Sequence, residues 1–137
     1  MAADPQSIAL LSESLIDEIV GAAGLPKNRF THWLGWSIFR RITDRFANIG
    51  APFDAIVGSE GLPKASEFCL DFFCNEVKAD GIENVPLTGP LLITTNHPGA
   101  YDGLVIFSKL PRKDIKWISS EIPILRLLPN LTQHVLF

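Results

Sequence analysis

The sequence predicts an α/β chain, with a helical amino-terminal region over residues 1–80 and the start of an α/β unit with a mixed or parallel sheet over 81–137. Two observations predict it. Up to about residue 80, apolar side chains recur at spacings of three and four, the period of one helix face. From residue 82 the chain changes to short β-rich runs separated by a helical stretch, the alternation that builds a layered α/β unit. The composition allows a real core. With 137 residues, 47% hydrophobic and 20% charged, the chain is too apolar and too weakly charged for disorder. A chain of that length buries roughly two-thirds of its unfolded surface without a disulfide or metal staple.

The first helix is announced by Asp4 as a cap and Pro5 at a first helical position. It carries Ile8, Leu11, Leu15 and Ile19 on one face and ends near Gly21 or Gly24. A second helix places Trp33, Trp36, Phe39, Ile42, Phe46 and Ile49 on a stripe, with Arg29, Arg40, Arg45 and Asn48 largely off it, and Gly50 and Pro52 are expected to close it. After Gly61-Leu62-Pro63, the residues Phe68, Phe72, Phe73 and Val77 read as a third helix to about Lys78, broken by Asp80-Gly81. Four β-rich runs follow, within 82–86, 89–103, 114–120 and 133–137. A helical stretch over 104–110 and an apolar, turn-rich piece over 122–128 separate them.

Charge is segregated along the chain. Residues 1–26, 27–50, 51–90 and 91–137 carry −4, +4, −5 and +2, for a net −3 and a pI near 5.5. That total argues against a nucleic-acid partner, while the block 27–50 is a local basic field suited to an anionic surface or ligand. The second helix cannot span a bilayer, because its longest uncharged run, 30–39, is ten residues where about twenty are needed. Each buried arginine would add a cost of about 2.5–3.5 kcal/mol. Two readings of its aromatic stripe remain: packing against the first and third helices, or resting among lipid headgroups. Cys69 and Cys74, with four residues between them and no second pair or neighbouring histidine, read as reduced, half-buried thiols rather than a zinc site, so no metal is expected. Asp4 and Glu13 within the first fifteen residues speak against a signal peptide, and a cytoplasmic setting is expected.

The chemistry is concentrated in one block. Residues 91–95 form an apolar run of the kind that makes a buried strand, and Asn96-His97-Pro98-Gly99-Ala100-Tyr101-Asp102-Gly103 follows as its carboxyl-end loop, the place where open α/β sheets bind ligands. Pro98 and Gly99 let the loop fold back so that the Asp102 carboxylate meets one nitrogen of His97. The other nitrogen is then free to take a proton from a hydroxyl. The competing reading is a helix cap beside a hydrogen-bonded histidine.

Gly89-Pro90, the apolar run, Asn96-His97, four residues and then Asp102 are similar to the first signature block of the phospholipid/glycerol acyltransferase family, which includes the lysophosphatidic acid acyltransferases. The resemblance covers roughly residues 82–137, since the stretch from Lys116 to Phe137 also looks like the family's continuation. It implies a glycerolipid acyltransferase of phospholipid biosynthesis. His97 would be the general base on the hydroxyl of a glycerol phosphate or lysophospholipid, and that hydroxyl would attack the thioester of acyl-CoA or acyl-carrier protein. Asp102 would orient the imidazole, and Asn96 would shape the loop on the substrate side. No covalent acyl-enzyme is implied, so Cys69, Cys74, Ser119 and Ser120 need not be nucleophiles, and no cofactor beyond the acyl donor is required. The membrane surface is the implied partner, with the protein peripheral at its inner face and residues 27–50 and 104–110 docking to lipid.

The chain departs from the family in two respects. Gly99 stands where members commonly carry serine, and the family's later arginine and Glu-Gly-Thr-Arg-like blocks do not occur before Phe137. Only Arg112 and Arg126 lie in 82–137, without the spacing of a phosphate clamp. The chain therefore reads as the amino-terminal part of a longer enzyme, inactive by itself and prone to associate through the strand ending at Phe137. The alternative is a non-catalytic, membrane-associating remnant with a vestigial His-Asp loop.

Overall fold

The computed structural model describes residues 4–96, 99 and 101–137. Three helices come first: α1 (Pro5–Ala22), α2 (Arg29–Glu60) and α3 (Leu62–Leu70). A 3₁₀ turn (Ile82–Asn84) leads to α4 (Asp102–Lys109), and β1 (Trp117–Ile118), α5 (Pro123–Arg126), α6 (Pro129–Thr132) and β2 (Val135–Leu136) complete the order. The described chain is mostly helical. β1 and β2 pair in parallel with Trp117 opposite Val135 and Ile118 opposite Leu136, and α5 and α6 form the crossover between them.

α1 begins as its sequence dictates, with the Asp4 carboxylate accepting from the N–H groups of Gln6 and Ser7 and Pro5 at the first turn. Its buried face is Leu11, Ser12, Ile16 and Val20, one position beyond the expected stripe, and it lies on α2. The contact surface of α2 is a row of mostly small residues, Thr31, Gly35, Thr43 and Ala47, all buried. A Cβ built on Gly35 would stand 2.8 Å from Val20 Cγ2 and 3.1 Å from Ile16 Cγ2, so the glycine is what permits this approach. Gly35→Ala is therefore expected to destabilise the fold by about 1–2 kcal/mol despite alanine's better helix propensity, because overpacking outweighs the gain. A chemical denaturation midpoint equal to or above that of the parent chain would refute the close-packing account.

Gly50 and Pro52 do not close the second helix. α2 runs on to Glu60 because beyond the proline Phe53 and Val57 are buried and Asp54 caps α6, and together these outweigh the lost backbone bond of about 3 kcal/mol. Gly61, at φ +96°, ends it instead. The third helix also differs, stopping at Leu70 rather than Lys78. The N–H groups of Phe73 and Cys74 both turn back onto the Leu70 carbonyl, at 2.9 and 2.8 Å. The residues that follow, Asp71-Phe72-Phe73-Cys74-Asn75, are all modest helix formers.

Two expected β-runs form no strand among the described residues. Within 82–86 the chain forms the 3₁₀ turn, started by Gly81 at φ +76° and closed by an Asn84 N–H to Gly81 carbonyl bond of 3.0 Å. Residues 91–95 belong to no strand and are exposed, Leu92 at 80%, instead of buried. A strand needs a neighbour for its N–H and C=O groups, and the single ladder of the described residues lies elsewhere, between β1 and β2.

One apolar cluster draws on both halves of the chain. Leu11, Ala47, Phe53, Val57, Leu62 and Ala65 from the helical region meet Phe107, Ile115, Leu125, Leu128, Leu131 and Val135 from the second. Two carboxylates fasten the crossover to the helices. Glu18 on α1 accepts from the N–H of Ile124 at 2.9 Å, in the first turn of α5. Asp54 on α2 accepts from the N–H groups of Asn130 and Leu131, at 3.3 and 2.8 Å, in the first turn of α6, and from the Asn130 amide at 2.9 Å. These are capping interactions supplied from another element, with negative charge at the positive ends of the short helices.

Candidate functional site

Asp102 is the first residue of α4, which starts two residues earlier than the expected stretch 104–110. Tyr101 is the N-cap, its carbonyl accepting from the Val105 N–H at 3.0 Å, and the Asp102 carboxylate accepts from the Gly103 N–H at 2.9 Å. The carboxylate is thus held in a first helical turn, where the helix dipole favours its charge. Tyr101 is fixed in turn by the Phe73 ring, stacked at 4.5 Å between centroids, and Phe73 stacks on Phe46 of α2 at 6.1 Å. This aromatic column ties the start of α4 to the middle of α2. It also accounts for the early end of α3, since Phe73 must leave the helix to enter the stack. Asn96 is exposed. His97, expected as the base, lies outside the described residues, as do Pro98 and Ala100.

The segment leading to this block is held by Arg112, whose side chain is only 9% exposed. Its guanidinium donates to the carbonyls of Pro86 at 3.0 Å and Gly89 at 2.9 Å, and grips the Asp114 carboxylate through Nε and Nη2. Gly89 sits at φ +83°, which favours glycine, and leads directly into residues 90–95. Arg126 is engaged as well, with Glu121 through two nitrogens and over the Phe137 ring at 4.8 Å. Both arginines of residues 82–137 therefore have structural partners within the chain.

The Arg112 guanidinium holds the Asp114 carboxyl below its ordinary value, and Asp114 in turn raises Arg112. A carboxylate with a depressed folded pKa stabilises the fold above its unfolded value, near 4, and loses that contribution as pH falls through the lower folded value. The clamp should therefore be intact at pH 5 and above and fail only in the acid range below about 4. Arg112→Lys, which keeps the charge but cannot serve two carbonyls and a carboxylate together, should increase amide exchange over residues 86–95 at neutral pH. Unchanged exchange in that variant would mean that other contacts hold the segment.

A cleft of about 480 Å³ lies elsewhere, lined by Ile56, Glu60, Lys64, Phe68, Cys74 and Lys109 among others. Ser108 and Lys109, its α4 residues, stand about 10 Å along the helix from Asp102. Cys69 and Cys74 are free thiols and half-buried, and burial pushes Cys69 up to about 11, unsuited to a thiolate nucleophile. Ser119 donates to the Ser120 carbonyl at 3.0 Å. Among the described residues, no cluster of three or more His, Cys, Asp or Glu side chains could hold a metal ion. No described helix is long and apolar enough to cross a membrane.

The sequence reading missed Asp54 and Glu18, which sit inside helices with no local signal of the distant helix ends they cap. It also missed the part played by Tyr101, whose partner Phe73 was assigned to a continuing helix. Compared with protein-family models, curated protein sequences and solved structures, the chain matches none.

Proposed function

We propose that this chain carries the His-Asp block of a glycerolipid acyltransferase. It would move an acyl group from acyl-CoA or acyl-carrier protein to the hydroxyl of a glycerol phosphate or lysophospholipid. The observation that supports this reading is the seat of Asp102: a carboxylate in the first turn of α4, separated from His97 in sequence by four residues, beside an aromatic stack that fixes the residue before it. In that reading His97 removes the hydroxyl proton as the oxygen attacks the thioester carbonyl, the carbon–sulfur bond breaks, and the imidazolium returns that proton to the departing sulfur to release the thiol. Asp102 holds the imidazole in the competent tautomer and offsets the positive charge it acquires. Asn96 shapes the loop on the acceptor side, and no metal or further cofactor takes part.

The acceptor's phosphate needs donors other than Arg112 and Arg126, because both are occupied by carbonyls and carboxylates of the chain itself. The deciding measurement is transfer of a labelled acyl group from acyl-CoA and from acyl-carrier protein to lysophosphatidic acid or glycerol phosphate, made with the protein carrying whatever follows Phe137 in its gene. Time-dependent acylation of the hydroxyl supports the assignment. Its absence with every donor and acceptor favours the non-catalytic alternative, in which the His-Asp loop is vestigial.

A further inference from the structure

The first two-thirds of α2 divides into rows of residues four apart, and the rows have different fates. Thr31, Gly35, Phe39, Thr43 and Ala47 face α1 and are buried or half-buried. On one side of it runs a wholly apolar row, Phe30, Leu34, Ile38, Ile42 and Phe46, about 24 Å long. This row is unpartnered over most of its length: Phe30 is 67% exposed, Ile38 60% and Ile42 53%. The next row outward is Arg29, Trp33, Ser37, Arg41 and Arg45, with Trp33 58% exposed and its ring 6.2 Å from that of Phe30. Of the stripe expected from spacing, Ile49 is buried and Phe39 half-buried, while Trp33, Trp36, Ile42 and Phe46 are exposed. Small residues line the helix contact, and the large ones are left outside.

We infer that this face of α2 docks onto an anionic bilayer surface, with the apolar row among the acyl-chain ends of the headgroup region and Arg41 and Arg45 on lipid phosphates. Three observations select this occupant. The row is flanked by cations at its two ends, Arg29 at one and Arg41 and Arg45 at the other, and among the described residues neither Arg41 nor Arg45 makes an ion pair, whereas Arg40 is committed to Asp44 at 3.3 Å. A second copy packed on the same face would bring no carboxylate to Arg41 and Arg45, because neither the apolar row nor the row beside it holds an acid. The mixture of tryptophan, phenylalanine, isoleucine and arginine on one helix surface, without enough length to cross, is that of a helix lying in the interface.

The docked face continues into the candidate site. Phe46 ends the apolar row and carries the stack through Phe73 to Tyr101, next to Asp102. Binding through α2 therefore brings the amino-terminal end of α4 towards the lipid surface, where a lysophospholipid hydroxyl is presented. This orientation rests on the acyltransferase reading; the docking itself does not.

The test is co-sedimentation of the 137-residue chain with vesicles of phosphatidylcholine alone and of an equal mixture of phosphatidylcholine and phosphatidylglycerol. Binding should favour the mixed vesicles and weaken as salt is raised. Arg41→Gln with Arg45→Gln should lower the partition coefficient on mixed vesicles about twenty-five-fold, from about fivefold for each basic residue near the surface, and leave binding to pure phosphatidylcholine unchanged. Ile38→Ser with Ile42→Ser, at exposed positions that leave the core intact, should weaken binding to both. Equal binding to the two vesicle types, no loss in the arginine variant, or a dimer broken by the isoleucine variant in a chain that ignores vesicles would each overturn the proposal. Vesicle binding is read without turnover, so docking by this chain together with no transfer in the acylation assay described above would retain the docking and discard the His-Asp assignment.

Discussion

His97→Ala is expected to cut the acyl-transfer rate by about a hundredfold or more, the usual scale for loss of a positioned general base. The mechanism assigns the imidazole the proton transfer that makes the acceptor hydroxyl nucleophilic, and His97 is the one imidazole in the Asn96 to Asp102 block. Asp102→Asn should be nearly as harmful for a different reason. Asparagine keeps a side-chain oxygen at the start of α4, so the helix and the Tyr101 stack should survive, but it cannot offset the charge on an imidazolium or hold the same tautomer. The pair of variants is informative only together with a thermal melt, which should be close to that of the parent for both. A His97→Ala protein that acylates at the parent rate would remove His97 from the chemistry.

The largest expected effect on stability is at Asp54. This buried carboxylate, 6% exposed, receives two backbone N–H groups and a side-chain amide from α6, so Asp54→Ala leaves donors of Asn130 and Leu131 without their acceptor in a buried place. A lost cap and the desolvation of the abandoned donors amount to about 3 kcal/mol. Because α6 lies in the crossover between β1 and β2, the parallel pair should loosen with it, and amide protection at Trp117 and Ser119, which bond to His134 and Leu136, should fall more than protection within α1. Asp54→Asn, which keeps one acceptor oxygen, should recover part of the loss. An alanine variant within about 0.5 kcal/mol of the parent by denaturant titration would show that α6 needs no cap from α2.

Local signals were legible where local physics decides the outcome. Asp4 and Pro5 start α1 because a cap and a fixed φ act within one turn. The β-rich runs at Trp117-Ile118 and Val135-Leu136 and the apolar crossover between them were likewise readable from composition and period. The His-Asp block was legible as a motif, and the structure adds where Asp102 sits; His97 lies outside the described residues.

Periodicity by itself determined that residues 29–49 form an amphipathic helix, but not which of its faces is covered. An apolar row reads the same in sequence whether it meets protein, lipid or water. The choice depends on which neighbour can come closest, and Gly35 against Val20 and Ile16 made the small-residue row the contact and left Phe30, Ile38 and Ile42 outside. The same physics governs the helix ends. Pro52 has a local cost of a few kcal/mol, and only the burial of Phe53, Asp54 and Val57 against distant elements could exceed it. Phe72 and Phe73 have the spacing of a helix, and only the Tyr101 ring, brought near by the fold, gave Phe73 a better place. Sequence thus determined the elements whose stabilising partners lie within a few residues. Tertiary structure decided each case in which two local options differed by less than the free energy of one buried side chain.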